Sequence, residues 1–463
     1  MDTDEPTPDD AQPPSDAQPP DDAELPDDAE LIRLARDVLD GNWTGHSTIP
    51  APGLYPHQWN WDTGFIAIGR SIHDQTRAEQ ELLHLFEAQW ETGMLPHIAF
   101  NPEVDRDAYF PGPDFWRSRT AYDAPKEVET SGLTQPPVHA FVALEMHRRA
   151  KDGEQSTAFL RRLFPGLVAL HGYFRDRRPG GPEGLTYVVH PWETGLDNSP
   201  AWDEAFEAFE VPKWGVPAYQ RRDLAHADPR DRPSNEAYDR FVYLAILYRD
   251  AGYDDARARE ITPFLVEDPM FNALWAWSAA SLAEIAAILG EDGKEFAEDA
   301  ERITRAIETK LWDEEHRRFL PFDLHGGQRM DHHSVVSFVP LVAPGLDSDR
   351  ARRTAESMND VRHCRMDREG RTCFILPTYQ PGGADYNPRL YWRGPIWINT
   401  NWLLERGTRI HGETALADEL RSSTLELVRR AGPREYFDPH TGTPYGAHRF
   451  SWTAALTLDL LER

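Results

Sequence analysis

From His190 to Asp203 the chain reads His-Pro-Trp-Glu-Thr-Gly-Leu-Asp-Asn-Ser-Pro-Ala-Trp-Asp, three carboxylates and two tryptophans in one short stretch. Proline lacks the backbone donor and glycine weakens regular structure, so Pro191, Gly195 and Pro200 make this a loop. Flat aromatic faces beside acids suit a carbohydrate, because rings cover the C–H face of a sugar while carboxylates accept its hydroxyls or exchange protons with it. The same residue types also serve a plain surface loop whose Asp and Ser cap the next helix. The loop alone does not choose.

Other stretches repeat the combination. In Leu54–Phe65, Trp59 and Trp61 precede Asp62 at a helix start, where they stack on and hydrogen-bond a sugar or else are core residues beside a capping acid. Tyr109 opens a Phe-Pro-Gly-Pro run. Gln135 stands before two prolines that hold it extended, a backbone suited to one directional contact. His139 follows and reads as a capping or core residue. Arg232 could clamp a carboxylate with both arms of its guanidinium, with Tyr238 nearby, whereas Arg240 reads as the partner of Asp239 or another neighbouring acid. Tyr391, Trp392 and Trp397 crowd the run Arg389–Trp397, and Glu435 opens a Gly/Pro-rich turn that leads to Ser451-Trp452.

Helical periodicity supplies the elements that must position these groups. Apolar spacing predicts helices over 30–40, 62–73, 76–91, 138–151, 156–176, 236–251, 272–289, 294–311, 332–342, 349–360, 396–411, 413–431 and 450–462. Residues 272–289 are apolar nearly all round, as an inner helix would be, whereas 413–431 carry polar residues between Leu416, Leu420, Leu427 and Val428, as an outer one would. Paired inner and outer helices in this number predict an all-α fold, an (α/α)6 toroid of six hairpins, although periodicity alone also fits another all-α array. Loops at 93–136, 178–234 and 364–395 are too long for simple connectors and are expected to cap the active-site mouth.

The formal net charge of −29 excludes a nucleic-acid partner that would want a basic stripe. Residues 1–30 hold twelve acids and no Lys or Arg, and residues 1–28, rich in Asp, Pro and Ala, are expected to be a disordered acidic tail before a single domain at 29–463. Only five lysines occur among 49 basic residues, as an acidic surface in high salt or a GC-rich genome would each give. No long apolar run predicts a membrane span. The N-terminus lacks the basic and apolar regions of a secretory signal. Two cysteines, Cys364 and Cys373, are too few for a disulfide framework and are expected to be free thiols in a cytoplasmic protein.

Taken in order, Trp59-x-Trp61-Asp62, Ser131-Gly-Leu-Thr-Gln-Pro-Pro137, Glu193-Thr-Gly-Leu-Asp-Asn-Ser-Pro-x-Trp-Asp203, Tyr391-Trp-Arg-Gly-Pro-Ile-Trp397 and Glu435-Tyr-Phe-Asp-Pro-x-Thr-Gly442 resemble glycoside hydrolase family 63, and within it the bacterial glucosylglycerate and mannosylglycerate hydrolases. The resemblance runs from about residue 30 to the C-terminus and implies the toroid. It implies an inverting glycosidase with Asp197 as general acid and Glu435 as general base, set roughly 6.5–9.5 Å apart to admit a water. It implies sugar contacts from Tyr55, Trp59, Asp62, Trp392, Trp397 and Tyr391, and a glycerate carboxylate read by Tyr109, Gln135 and Arg232. The substrate is then a small glycoside, with no cofactor and no metal. Tandem His332-His333 read as structural.

Two positions depart from the pattern. Phe450 stands where the glucosylglycerate enzymes carry glutamine, and Ala201 where a larger basic residue is usual. Other readings are a trehalose-like or oligosaccharide α-glucoside as substrate, a phosphorolytic transferase, or a sugar-binding protein without turnover. Oligomeric state is left open.

Overall fold

The computed structural model describes residues 25–225, 227–358 and 373–462. Among them, twelve helices have eleven or more residues: α1 (Asp28–Gly41), α2 (Asn60–Arg70), α3 (Gln75–Phe86), α4 (His139–Arg149), α5 (Gly153–Arg177), α6 (Asn235–Asp250), α7 (Pro269–Leu289), α8 (Lys294–Ala306), α9 (Ser348–Met358), α10 (Ile398–Ile410), α11 (Thr414–Ala431) and α12 (Ser451–Leu461). Capping sets many of these boundaries. Asp27, Asp74, Asp152, Ser234 and Asp268 each accept a backbone N–H from the first turn that follows, satisfying a donor the helix leaves orphaned.

The core is a closed ring. Helix α2 packs on α4, α4 on α7, α7 on the turn Val339–Val342, that turn on α10, α10 on α12, and α12 back on α2. Every residue of α2 is buried, and nearly every residue of α12. Outside this ring lie α3, α5, α8, α9, α11 and α1, several of them buried along one face only. Six pairs therefore form the predicted (α/α)6 toroid. Helix α7 is long and apolar enough to cross a membrane by length and composition, but most of it is buried against α4, α5 and α8.

The fifth inner position differs from expectation. Instead of one helix over 332–342, two 3₁₀ turns, Val335–Ser337 and Val339–Val342, fill it. Pro340 supplies no N–H and the valines around it are stiff at the first side-chain torsion, so a continuous α-helix is disfavoured there. Ile288 on α7, expected to be core, is exposed. Cys373 is disulfide-bonded rather than free: a count of two argues against a framework of several bridges, not against a single one. Cys364, the end of the 349–360 segment and residues 1–24 of the expected tail lie outside the described residues.

Strands are short. The pair Gln58–Trp59 with Ile98–Ala99 leads into α2, and the hairpin Arg434–Phe437 with Pro444–His448 leads into α12. Chain segments that precede four inner helices thus arrive at one end of the ring: Trp59 before α2, Gln135 before α4, Trp397 before α10 and Phe450 before α12 all reach one cavity.

Candidate active site

That cavity spans about 490 Å³ of empty space, part of it open to solvent. Ten of the twelve residues singled out in the sequence line it: Asp197 and Glu435, with Tyr55, Trp59, Asp62, Tyr109, Gln135, Tyr391, Trp392 and Trp397. Sequence reasoning did not assign His97, Trp192, Gly195 or Trp452 to the wall, although all four line it. Trp192 and Gly195 lie in the acid-rich loop and could have been named from it. His97 carried no local signal.

The two carboxyl groups have different surroundings. Glu435 is buried where the register of the hairpin shifts, between Arg434 and Tyr436. Its Oε1 accepts the Tyr55 hydroxyl at 2.7 Å, and its Oε2 accepts the Ala447 N–H at 2.7 Å and lies 3.5 Å from the Arg232 guanidinium. Three donors on about four lone-pair sites leave one site, on Oε1, for a further proton. Burial raises the pKa of Glu435, while Arg232, the Ala447 N–H and Tyr55 pull it back. Tyr55 gives its proton to Glu435 and accepts from Arg232 at 2.9 Å, so its 3.1 Å contact with Tyr391 must be donated by Tyr391. Tyr391 holds a left-handed backbone, φ 50°, a conformation that costs energy outside glycine.

Asp197 has no such support. No other side chain hydrogen-bonds its carboxyl among the described residues, and the cavity it partly faces is walled by protein. Burial raises its pKa to about 7, opposed by Arg232 and helped by the negative charge of Glu435. Asp62, in the first turn of α2, is raised well above the usual carboxylate range, chiefly by burial and further by Glu435 and Asp197. Near neutral pH the site can therefore hold an uncharged acid opposite a carboxylate, the separation of roles that acid–base chemistry needs.

Glycines allow the close approach. Gly446 has φ 68°, and a methyl group there would collide with Glu435 Oε2. Gly195, φ 78°, ends the turn Pro191–Thr194 with the Trp61 ring against it, 2.5 Å from where a Cβ would stand. Trp392 stacks on Trp397 at 3.8 Å and 10°, and the buried Trp392 and Trp452 indole N–H groups have no partner among the described residues. Such donors suit hydroxyls of a bound sugar. The Gln135 carbonyl accepts the Trp61 N–H at 3.2 Å, which leaves its NH2 to meet an acceptor.

Two expected contacts are elsewhere. Arg232 does not line the cavity: it is buried against the rings of Tyr391 (4.7 Å) and Tyr55 (5.7 Å), bound to Tyr55 and Glu435. Tyr238 lies behind the wall, its hydroxyl donating to the Phe110 carbonyl at 2.9 Å. The loop's other acids are held by arginines, Glu193 by Arg178 and Asp203 by Arg393. Arg240 pairs with a neighbouring acid, Glu236, as expected, and His139 Nε2 lies 3.2 Å from the Asn60 carbonyl in the core.

A family model for the mannosylglycerate hydrolase MGH1-like glycoside hydrolase domain matches residues 55–453. The chain belongs to this family of glycoside hydrolases. It is 43% identical to the mannosylglycerate hydrolase of Rubrobacter radiotolerans, across 93% of this chain and 96% of that one. It is 37% identical to the glucosylglycerate hydrolase of Mycolicibacterium hassiacum, across 92% and 96%. The crystal structure of the GH63 mannosylglycerate hydrolase from Thermus thermophilus, in complex with Tris and D-glycerate, superposes with a TM-score of 0.85 at 40% identity, covering 94% of this chain and all of that one. The six-hairpin ring is the fold of the family, and the enzyme class is glycoside hydrolase.

Proposed function

We propose that the protein hydrolyses mannosylglycerate or glucosylglycerate to the free sugar and glycerate with inversion, using Asp197 as general acid and Glu435 as general base. The observation that carries this reading is one aromatic-walled cavity in which Asp197 is held toward its neutral form while Glu435 is braced by Tyr55, Ala447 and Arg232. Asp197 gives its proton to the glycosidic oxygen as the bond to the anomeric carbon breaks. Glu435 takes a proton from water, whose oxygen attacks that carbon from the opposite face. Exchange with solvent then restores both groups.

The names of the relatives support a glycerate aglycone. Tyr109 and Gln135 line the cavity and supply groups that would meet its hydroxyl and carboxylate, and a carboxylate arriving near Tyr55 would compete with Glu435 for Arg232. Product release from a panel of mannosylglycerate, glucosylglycerate and trehalose tests the substrate class. The two glycerate glycosides are expected to be cleaved far faster than trehalose, and trehalose as the best substrate would overturn the reading. Added phosphate is expected to leave the rate unchanged, since a phosphorylase would need it.

Arg232→Ala separates binding from chemistry. KM for a glycerate glycoside is expected to rise more than that for a neutral glycoside of the same sugar, with kcat reduced on both because Glu435 loses its cation. Equal KM effects on the two substrates would remove the glycerate assignment.

A further inference from the structure

Behind the acid loop lies a buried ionic cluster that the chemistry above does not use. Arg178, the residue just after α5, is 1% exposed. Its two terminal nitrogens donate to the two oxygens of Glu193, each at 3.1 Å, and Nη2 also reaches the Tyr248 hydroxyl at 3.1 Å. Its Nε donates to Asp255, which also accepts the hydroxyls of Tyr248 (2.7 Å) and Tyr173 (3.1 Å). Glu193 is fully buried and takes two backbone N–H groups besides, from Val189 at 2.8 Å and from Thr134 at 3.4 Å.

The connections of Glu193 lead to the catalytic wall. Thr134 immediately precedes Gln135. Glu193 sits in the single helical turn Pro191–Thr194, and from there the chain passes Gly195, pinned against Trp61, to Asp197. Leu196 between them is tied at both ends, its N–H to Thr194 Oγ1 at 3.0 Å and its carbonyl to the Trp202 indole at 2.7 Å. No slack is left between Glu193 and Asp197. A burial this complete would be costly if the charges were unpaired, and a bidentate guanidinium–carboxylate pair fixes orientation as well as distance.

We infer that Glu193, clamped by Arg178, which Asp255 braces in turn, is a positioning residue that sets the acid Asp197 and the Gln135 contact in register with one another. The inference rests on the assignment of Asp197 as general acid. In Glu193→Gln the shape is kept but the pairing with Arg178 weakens, so the acid loop drifts. The loss should then fall on substrates whose leaving group needs a proton. A glycosyl fluoride of the same sugar departs with little help from an acid.

The experiment compares Glu193→Gln with Asp197→Asn and with Asp459→Asn. Asp459 is a buried carboxylate bound to Arg149 and Arg406 near the far end of α12, remote from the mouth. Rates are measured on the glycerate glycoside and on the glycosyl fluoride, well below each variant's melting temperature. Glu193→Gln is expected to lose at least tenfold in kcat on the glycoside and less than threefold on the fluoride, following Asp197→Asn in direction. Asp459→Asn is expected to melt earlier yet keep kcat on both. Equal losses on the two substrates in Glu193→Gln, or wild-type kcat on the glycoside, would overturn the positioning role while Asp197→Asn still reported the acid. If Asp197→Asn itself kept normal glycoside turnover, the acid assignment would fall first. An Arg178→Lys variant serves if Glu193→Gln fails to fold, with the same substrate contrast expected.

Discussion

Glu435→Gln is expected to lower hydrolysis of the preferred glycoside by roughly 10²–10⁴-fold, the usual loss when a positioned general base is removed. Glutamine fills the same space, and its amide oxygen, set where Oε2 lies, can still accept the Ala447 N–H, so the hairpin should survive while the Tyr55 hydroxyl loses its acceptor. What disappears is the lone pair on Oε1 that can take a proton from water, together with the charge that holds Arg232. KM should change far less than kcat, because the pocket's aromatic walls are untouched. Steady-state kinetics with a melting curve checks this; near-normal kcat in a folded variant would exclude Glu435 as the base.

Asp197→Asn should have a comparable effect on turnover and a distinct signature in pH. An ordinary aspartate titrates near ~3.9, which would leave roughly one molecule in a thousand protonated at pH 7. With its pKa raised to about 7, Asp197 is half in its active form there. Wild-type activity should therefore fall as pH rises above about 7, and on the acid side below a limb that Glu435 places above the ordinary glutamate range. The residual activity of Asp197→Asn should lack the alkaline limb.

The same group predicts a stability difference whose sign can be worked out. Between about pH 4 and about pH 7 the folded protein retains a proton on Asp197 that the unfolded chain has released, so stability declines with rising pH through that window. Asparagine does not titrate. Asp197→Asn should accordingly melt above wild type at about pH 8, with the gap narrowing toward about pH 4. Melting curves at three pH values would contradict this if the gap were constant.

Much of the arrangement is readable along the chain because helix periodicity is local. The all-round apolar character of 272–289 and the one-sided pattern of 413–431 separate α7 from α11 before any contact is known. The fifth inner position was not legible, since a run of valines broken by Pro340 has helix-like hydrophobicity without helix-forming backbone. The aromatics and acids were likewise visible, and nine of them share a wall with Gln135. The place of Arg232 was not. Tyr55 and Glu435 are 380 residues apart, and only closure of the ring puts one guanidinium between them. His97 reaches the wall for a similar reason: its position follows from strand pairing of 58–59 with 98–99, which no local pattern announced.

Four inner helices, α2, α4, α10 and α12, begin just beyond residues of the cavity wall, so their N-terminal ends lie toward the same space. Each such end carries a partial positive charge, about half an elementary charge from aligned peptide dipoles. These ends, with the Arg232 guanidinium beside Glu435, offset part of the negative charge that Glu435 brings to the cavity of a chain whose formal charge is −29. The backbone thus contributes positive potential that a chain with only five lysines would otherwise have to take from side chains. Salt in the medium screens charges on the exposed surface more than it screens these enclosed helix ends, so their contribution persists in concentrated solution.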